Sequence, residues 1–170
     1  MHAHTYWVGL GSNLSDRRAA LQAAVDALRA EGVDVDAVSP VYETAPQLVT
    51  DQPAFLNAAV RVRTPLGPRA LLAVLKDMER RHGREAGGVR YGPRPIDADI
   101  LWWDGGAYRD DALVIPHPRL TERRFAMAGP LAVDPGLELP DGTRLADAFA
   151  AIDPASQPVD EWPGGGASLH

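Results

Sequence analysis

Residues 55–63 read Phe-Leu-Asn-Ala-Ala-Val-Arg-Val-Arg, and the fold turns on how this stretch is read. Leu56, Ala58, Val60 and Val62 fall on one side of an extended chain, and Phe55, Asn57, Ala59, Arg61 and Arg63 fall on the other. A period of two is the pattern of a strand with one packed face and one face available for other work. Just upstream, residues 43–53 contain Pro46 and Pro53 and show no period, which predicts a loop. Residues 33–42 alternate loosely and are rich in Val, which predicts another strand. Leu21, Ala24, Val25 and Leu28 recur at helical spacing after the cap-type residues Ser12, Asn13 and Ser15, and Gly32 is a natural stop. Residues 5–11 read as a short buried strand that runs into this helix.

Downstream of the quoted stretch, Pro68 opens a second helix at a position where its missing N–H does no harm. Its buried face is Leu71, Val74, Leu75 and Met78, and Gly83 ends it. Residues 85–95 hold Gly87, Gly88, Gly92, Pro93 and Pro95 and read as a loop with freedom to move. Residues 96–103 read as a strand, apolar on both faces beyond its first turn and so expected at the centre of the sheet. The order β-α-β-β-α-β predicts an α+β protein. It is the split βαβ, ferredoxin-like arrangement: an antiparallel sheet with helices on one face. Residues 108–150 are expected to add a short strand, a helix near 121–128 and a helix near 145–152 as a C-terminal extension. One domain is expected over 1–152, and 153–170, with three prolines and Gly164-Gly165-Gly166, a loose tail.

Composition excludes several function classes. The chain has 170 residues, 17 basic and 23 acidic, for a net charge of −6, which argues against a general coat for nucleic acid or anionic membrane. There is no Cys, so disulfides, iron–sulfur clusters and thiolate zinc are out. No apolar run approaches a membrane span, and residues 1–7 lack a basic start and an apolar core. The cytoplasm is the expected compartment. The one lysine is Lys76, inside a helical pattern, so no phosphate-binding loop of the G-x-x-x-x-G-K type exists and arginines must handle any phosphate.

Three constellations remain. Asp97 and Asp99 are two apart on a strand, so they share a side with Cα atoms roughly 6.5–7 Å apart. Sheltered carboxylates so close repel each other, and a hard divalent cation relieves the conflict. Arg80, Arg81, Arg84, Arg90 and Arg94 crowd one window and Arg119, Arg123 and Arg124 another, which suggests an anion site in an acidic protein. Phe55 and Asn57, a ring beside an amide, can read a flat heterocycle. Each has an ordinary reading: a solvated strand end, helix-terminal charges, and a plain strand aromatic with a polar neighbour. His117, between Pro116 and Pro118, is equally a turn residue.

The ordered set Gly11-Ser12-Asn13-Leu14, Tyr42 with Thr44, Asp51-Gln52-Pro53-Ala54-Phe55-Leu56-Asn57-Ala58-Ala59-Val60, Glu79 with Gly83-Arg84, Tyr91-Gly92-Pro93-Arg94-Pro95-Ile96-Asp97-Ala98-Asp99-Ile100, and Pro116-His117 with Arg123 and Phe125 resembles the 6-hydroxymethyl-7,8-dihydropterin pyrophosphokinase family of folate biosynthesis. The resemblance runs from about residue 5 to about residue 150 and implies the ferredoxin-like fold. It implies transfer of pyrophosphate from ATP to the pterin hydroxymethyl group, with release of AMP, by a monomer acting without nucleic acid or membrane. By position, Asp97 and Asp99 would hold two Mg²⁺ ions, and Arg84 and Arg94 would grip phosphates as catalytic residues. Leu72, Lys76, Glu79, Ile100, Val114, His117 and Arg123 would surround ATP. Phe55 and Phe125 would sandwich the pterin, Asn57 would read its edge, Thr44, Ala45 and Gln47 would offer backbone partners, and Tyr91 would cover it. The chain departs from the pattern at Pro118, Ala86, Ala45 and Gln47. Two other classes are an RNA-binding module, disfavoured by few Phe and negative charge, and an inactive relative that binds ligand without turnover.

Overall fold

The alternation along 55–64 organises the sheet. The computed structural model describes residues 3–14, 16–45, 51–82, 95–162 and 169–170. Strands β1 (His4–Ser12) and β4 (Phe55–Thr64) pair antiparallel along their length, from His4 opposite Thr64 to Ser12 opposite Leu56. β5 (Asp97–Trp103) flanks β1 on its other side. β2 (Asp34–Val38) and β3 (Tyr42–Thr44) both pair with β4. The expected strand over 33–42 is therefore two short strands. The break falls at Ser39 and Pro40, where the Ser39 hydroxyl accepts from the Ala59 N–H and so replaces a ladder partner.

Helices α1 (Arg17–Ala30) and α2 (Pro68–Arg81) pack on one face of the sheet. Tyr6, Val8 and Leu10 of β1 and Leu56, Ala58, Val60 and Val62 of β4 meet Leu21, Val25 and Leu28 of α1 and Leu71, Leu75 and Met78 of α2. Each fully buried Leu, Ile, Val or Met in this layer contributes about 2 kcal/mol. Asp16, rather than Ser12 or Asn13, caps α1 by accepting from the Ala19 N–H at 3.0 Å, and Gly32 turns the chain at φ 82°.

The extension supplies a second layer on the opposite face, where the sequence reading placed no helix. The hairpin β6 (Tyr108–Arg109) and β7 (Val114–Ile115), a short 3₁₀ turn at Leu120–Glu122, α3 (Arg124–Val133) and α4 (Leu145–Ala150) follow β5. Trp7, Ala59 and Leu101 of the sheet pack against Leu120, Met127, Leu137 and Leu145 there. The Trp7 indole donates to Asp134 at 2.9 Å, and Arg61 grips the same carboxylate at 3.0 Å.

Two expectations are corrected. β5 is not central: among the described residues the sheet runs β5-β1-β4-β3 and on to a last strand, β8 (Val159–Glu161), which puts β5 at an edge. Its apolar residues on both faces reflect layers above and below, not strands on both sides. The expected loose tail contributes a strand, β8 (Val159–Glu161), which pairs antiparallel with β3. Val159 stands opposite Thr44, and the Trp162 N–H donates to the Val41 carbonyl at 2.9 Å.

Candidate active site

Registry across three strands builds the site. Asn57 of β4 stands opposite Gly11 of β1, which stands opposite Asp97 of β5. One step along, Ala59, Gly9 and Asp99 line up in the same way. Residues opposed across a ladder share a face, and strands lie about 4.8 Å apart. The amide and the carboxylates are thus held on two sides of a floor that carries no side chain. A methyl group on Gly11 would lie 3.0 Å from the Asn57 carbonyl oxygen and 3.7 Å from the Phe55 ring. The floor is bare because its neighbours occupy that space.

Gly9, Gly11, Asn57, Asp97, Asp99, His117, Arg123, Phe125 and Ala126 line one cavity over this floor. Arg123 and Phe125 come from the start of α3, with the guanidinium 5.7 Å from the Phe125 ring centroid. Phe55 is not among the residues that line the cavity; its ring lies beside Gly11, at the end of the floor. The Asn57 amide donates to the Thr44 hydroxyl at 2.6 Å, both residues being buried. Thr44 therefore acts through its side chain on Asn57, where sequence reasoning looked only to its backbone. Ala45 is exposed just beyond β3. We expect Gly11→Ala to weaken binding of a flat heterocycle roughly tenfold by pressing on Asn57, with nucleotide affinity unchanged; paired calorimetric titrations would check this.

A second cavity opens on the other side of β5. Leu72 and Lys76 of α2, Ile100, Val114 and His117 line it, together with Asp99. These are five of the residues expected around a nucleotide. Asp110, Asp111, Ala112, Leu113 and Pro118 also line it, and sequence reasoning passed over the first four. Asp110 organises the hairpin turn by accepting from the backbone N–H groups of Ala112 at 2.7 Å and Leu113 at 2.9 Å. The Tyr108 hydroxyl, then the Ala112 N–H and the Arg69 guanidinium, hold its carboxyl down at about 2. The signal was present as an Asp followed two residues later by a turn, but turn chemistry does not say which cavity the turn will border.

Asp99 and His117 belong to both cavities. His117 is tied to β5 by its backbone N–H, which donates to the Leu101 carbonyl at 3.0 Å, and follows a cis Ile115–Pro116 bond. Its Nδ1 accepts from the Arg119 N–H at 3.1 Å, a bond that only the unprotonated nitrogen can accept. Burial, then Arg123 and Arg119, push its pKa below the ordinary imidazole value. The folded chain thus prefers the neutral ring. That preference supports the fold fully above about pH 6.5 and is lost as pH falls through the lowered folded value. Imidazole resonances of His117 should titrate with a midpoint below 6.5, and His117→Phe should flatten the acid loss of stability; a midpoint above that value would contradict the assignment.

Glu79, expected beside ATP, lies between α2 and β5 and bonds Lys76, which lines the second cavity. It is 2% exposed and lines neither cavity. One oxygen accepts from the Ala98 N–H at 2.8 Å, on the residue between the two aspartates, and Lys76 lies 3.2 Å from the same oxygen. Arg80 and Arg81 pair with Asp77 and Glu31, and Arg124 bonds to the Gln157 carbonyl, so these three serve the scaffold. Gln47, Arg84, Arg90, Tyr91 and Arg94 lie outside the described residues.

The result is an α+β chain with two cavities joined at one carboxylate and one neutral imidazole. The chain belongs to the 7,8-dihydro-6-hydroxymethylpterin-pyrophosphokinase (HPPK) family, whose model matches residues 7–135. It is 41% identical over 150 residues to the 2-amino-4-hydroxy-6-hydroxymethyldihydropteridine pyrophosphokinase of Methylorubrum extorquens, which covers 88% of this chain and 94% of that one. It is 50% identical over 121 residues to the mitochondrial folate synthesis bifunctional protein of Pisum sativum, 71% of this chain and 23% of the relative. The chain thus spans about a quarter of the length of such plant relatives. A solved HPPK-DHPS in complex with substrates shares the fold at TM-score 0.70 and 12% identity, over 89% of this chain and 43% of that one.

Proposed function

We propose that this chain transfers the terminal pyrophosphate of ATP to the hydroxymethyl group of 6-hydroxymethyl-7,8-dihydropterin, with release of AMP, as a step of folate biosynthesis. The observation that carries this reading is the pair of adjoining cavities with Asp99 and His117 in their common wall. The ring lies on the Gly9–Gly11 floor, with Asn57 at its edge and Phe125 and Phe55 at its faces. The nucleoside lies in the second cavity against Leu72, Ile100 and Val114.

The hydroxymethyl oxygen attacks the β-phosphorus and gives up its proton to solvent, the bond from that phosphorus to the α-phosphate oxygen breaks, and AMP leaves with the electron pair of that bond. Positioning and charge neutralisation dominate such a transfer. Arg123 supplies positive charge at the junction, and neutral His117 can donate from Nε2 to a phosphate oxygen. Arg84 and Arg94 are proposed to grip the triphosphate. Among the described residues, no group of three or more His, Cys, Asp or Glu could hold a metal by itself. Two carboxylates side by side, with phosphate and water to complete the shell, fit Mg²⁺. Asp97 and Asp99 would hold it, with two ions proposed, and bound Mg²⁺ would offset charge on the triphosphate.

The strand order supports a ferredoxin-like description: β5-β1-β4 followed by the β2 and β3 positions, every pair antiparallel. We take the chain as one pyrophosphokinase domain that acts as a monomer in the cytoplasm; its expected limit at 152 moves outward to include β8, which pairs with β3. No helix among the described residues is long and apolar enough to cross a membrane. The test is AMP release from ATP, Mg²⁺ and the reduced hydroxymethylpterin. Release that depends on the pterin is expected. Binding of either ligand without AMP would replace this reading with that of a ligand-binding relative.

A further inference from the structure

Two polar side chains that the mechanism leaves unused tie together the segments carrying Phe55 and Asn57. Asn13, 1% exposed, donates from its amide to Gln52 Oε1 at 2.8 Å and to the Pro53 carbonyl at 3.1 Å. Arg17, in the first turn of α1, donates from Nη1 to Glu43 at 2.8 Å and to the Ala54 carbonyl at 2.9 Å. Gln52, Pro53 and Ala54 run directly into Phe55, and Glu43 precedes Thr44, whose hydroxyl holds Asn57.

The Pro53 and Ala54 carbonyls lie before β4 begins, where no ladder holds the backbone. Without other partners this approach to the strand would be free to shift, and the Phe55 ring would shift with it. Arg17 holds a carboxylate on β3 and a carbonyl before β4 with one nitrogen, so it spans the two sides of the corner. The second cavity is built from α2, β5 and the β6–β7 hairpin, and neither Asn13 nor Arg17 lines it.

We infer that Asn13 and Arg17 are positioning residues that hold Phe55 and Asn57 in place for the heterocycle, and so set affinity for the ring substrate but not for the nucleotide. This rests on the function proposed above, in which Phe55 and Asn57 meet the pterin. The ring side is thereby anchored to α1, and the nucleotide side to α2.

The test uses the whole chain in the AMP-release assay, with direct pterin binding measured in parallel. Arg17→Ala should raise the KM for the pterin about fivefold, with the KM for ATP changed by less than about twofold. Arg17→Lys should restore part of the loss, since it keeps the charge but gives up the second contact. Glu43→Ala should cost less than Arg17→Ala and add little to it, because both remove one interaction. Arg17 is a quarter exposed, so these variants are expected to fold, and thermal unfolding of each checks that. A wild-type chain that neither binds the pterin nor releases AMP overturns the function and this inference together. A wild-type chain that does both, with Arg17→Ala raising the two KM values equally or neither, overturns this inference alone.

Discussion

Asp97→Asn and Asp99→Asn should each lower the rate of AMP release by roughly a thousandfold while the fold survives. Both side chains look into a cavity and are half-buried, so an amide of the same shape meets no steric objection. What is lost is charge. An amide cannot offset a divalent cation, and under the proposed function the triphosphate would then enter a site short of its counterion. The two variants should differ in one respect. Asp97 lines only the ring-side cavity, whereas Asp99 lines both, so Asp99→Asn should also weaken nucleotide binding in the absence of pterin. Single-turnover rates and nucleotide titrations of both variants, with circular dichroism as a control, would check this. Near-normal AMP release from either variant would remove the carboxylate pair from the mechanism.

Glu79→Ala is expected to lower the free energy of unfolding by about 3 kcal/mol, measured by denaturant titration. The substitution leaves the buried Ala98 N–H without its acceptor and opens a void under β5. Lys76 contributes less, because its side chain is 42% exposed and finds water when its partner goes. Glu79→Gln keeps an acceptor oxygen and should cost about 1 kcal/mol. Activity should follow the same order, since Ala98 separates the two aspartates in sequence. Equal stability of Glu79→Ala and wild type would show that the bond to Ala98 carries no net energy.

The strands and the first two helices were legible because their periodicity is local. Leu56 to Val62 and Leu71 to Met78 state their own faces. The sheet position of β5 was not, because burial on two faces reads the same whether strands or helix layers lie beside it. The second helical layer escaped for a related reason: Trp7, Ala59 and Leu101 pack against residues more than a hundred positions away from Trp7. The strand at 159–161 has three residues and no period to reveal it; only its partner β3 makes it a strand. At the site, Asp97, Asp99, Asn57, His117 and Arg123 were readable as residue types at given spacings and Phe125 only through the resemblance, and all six line one cavity. The bond from the Ala98 N–H to Glu79 was not legible, because where the carboxylate points depends on the rotation of α2. Arg17 gave no signal at all: its partners lie on β3 and before β4, and nothing near it in sequence announces them.

The common wall has an evolutionary consequence. A change at Leu72 or Val114 alters one chamber, and a change at Asn57 or Phe125 alters the other, so selection can retune preference for either occupant separately. Asp99 and His117 line both chambers, and under the proposed function they would answer to both occupants at once. An alteration there that suits one compound is judged immediately by the other, so drift toward new specificities, or toward resistance to a competing compound, should leave these two positions until last.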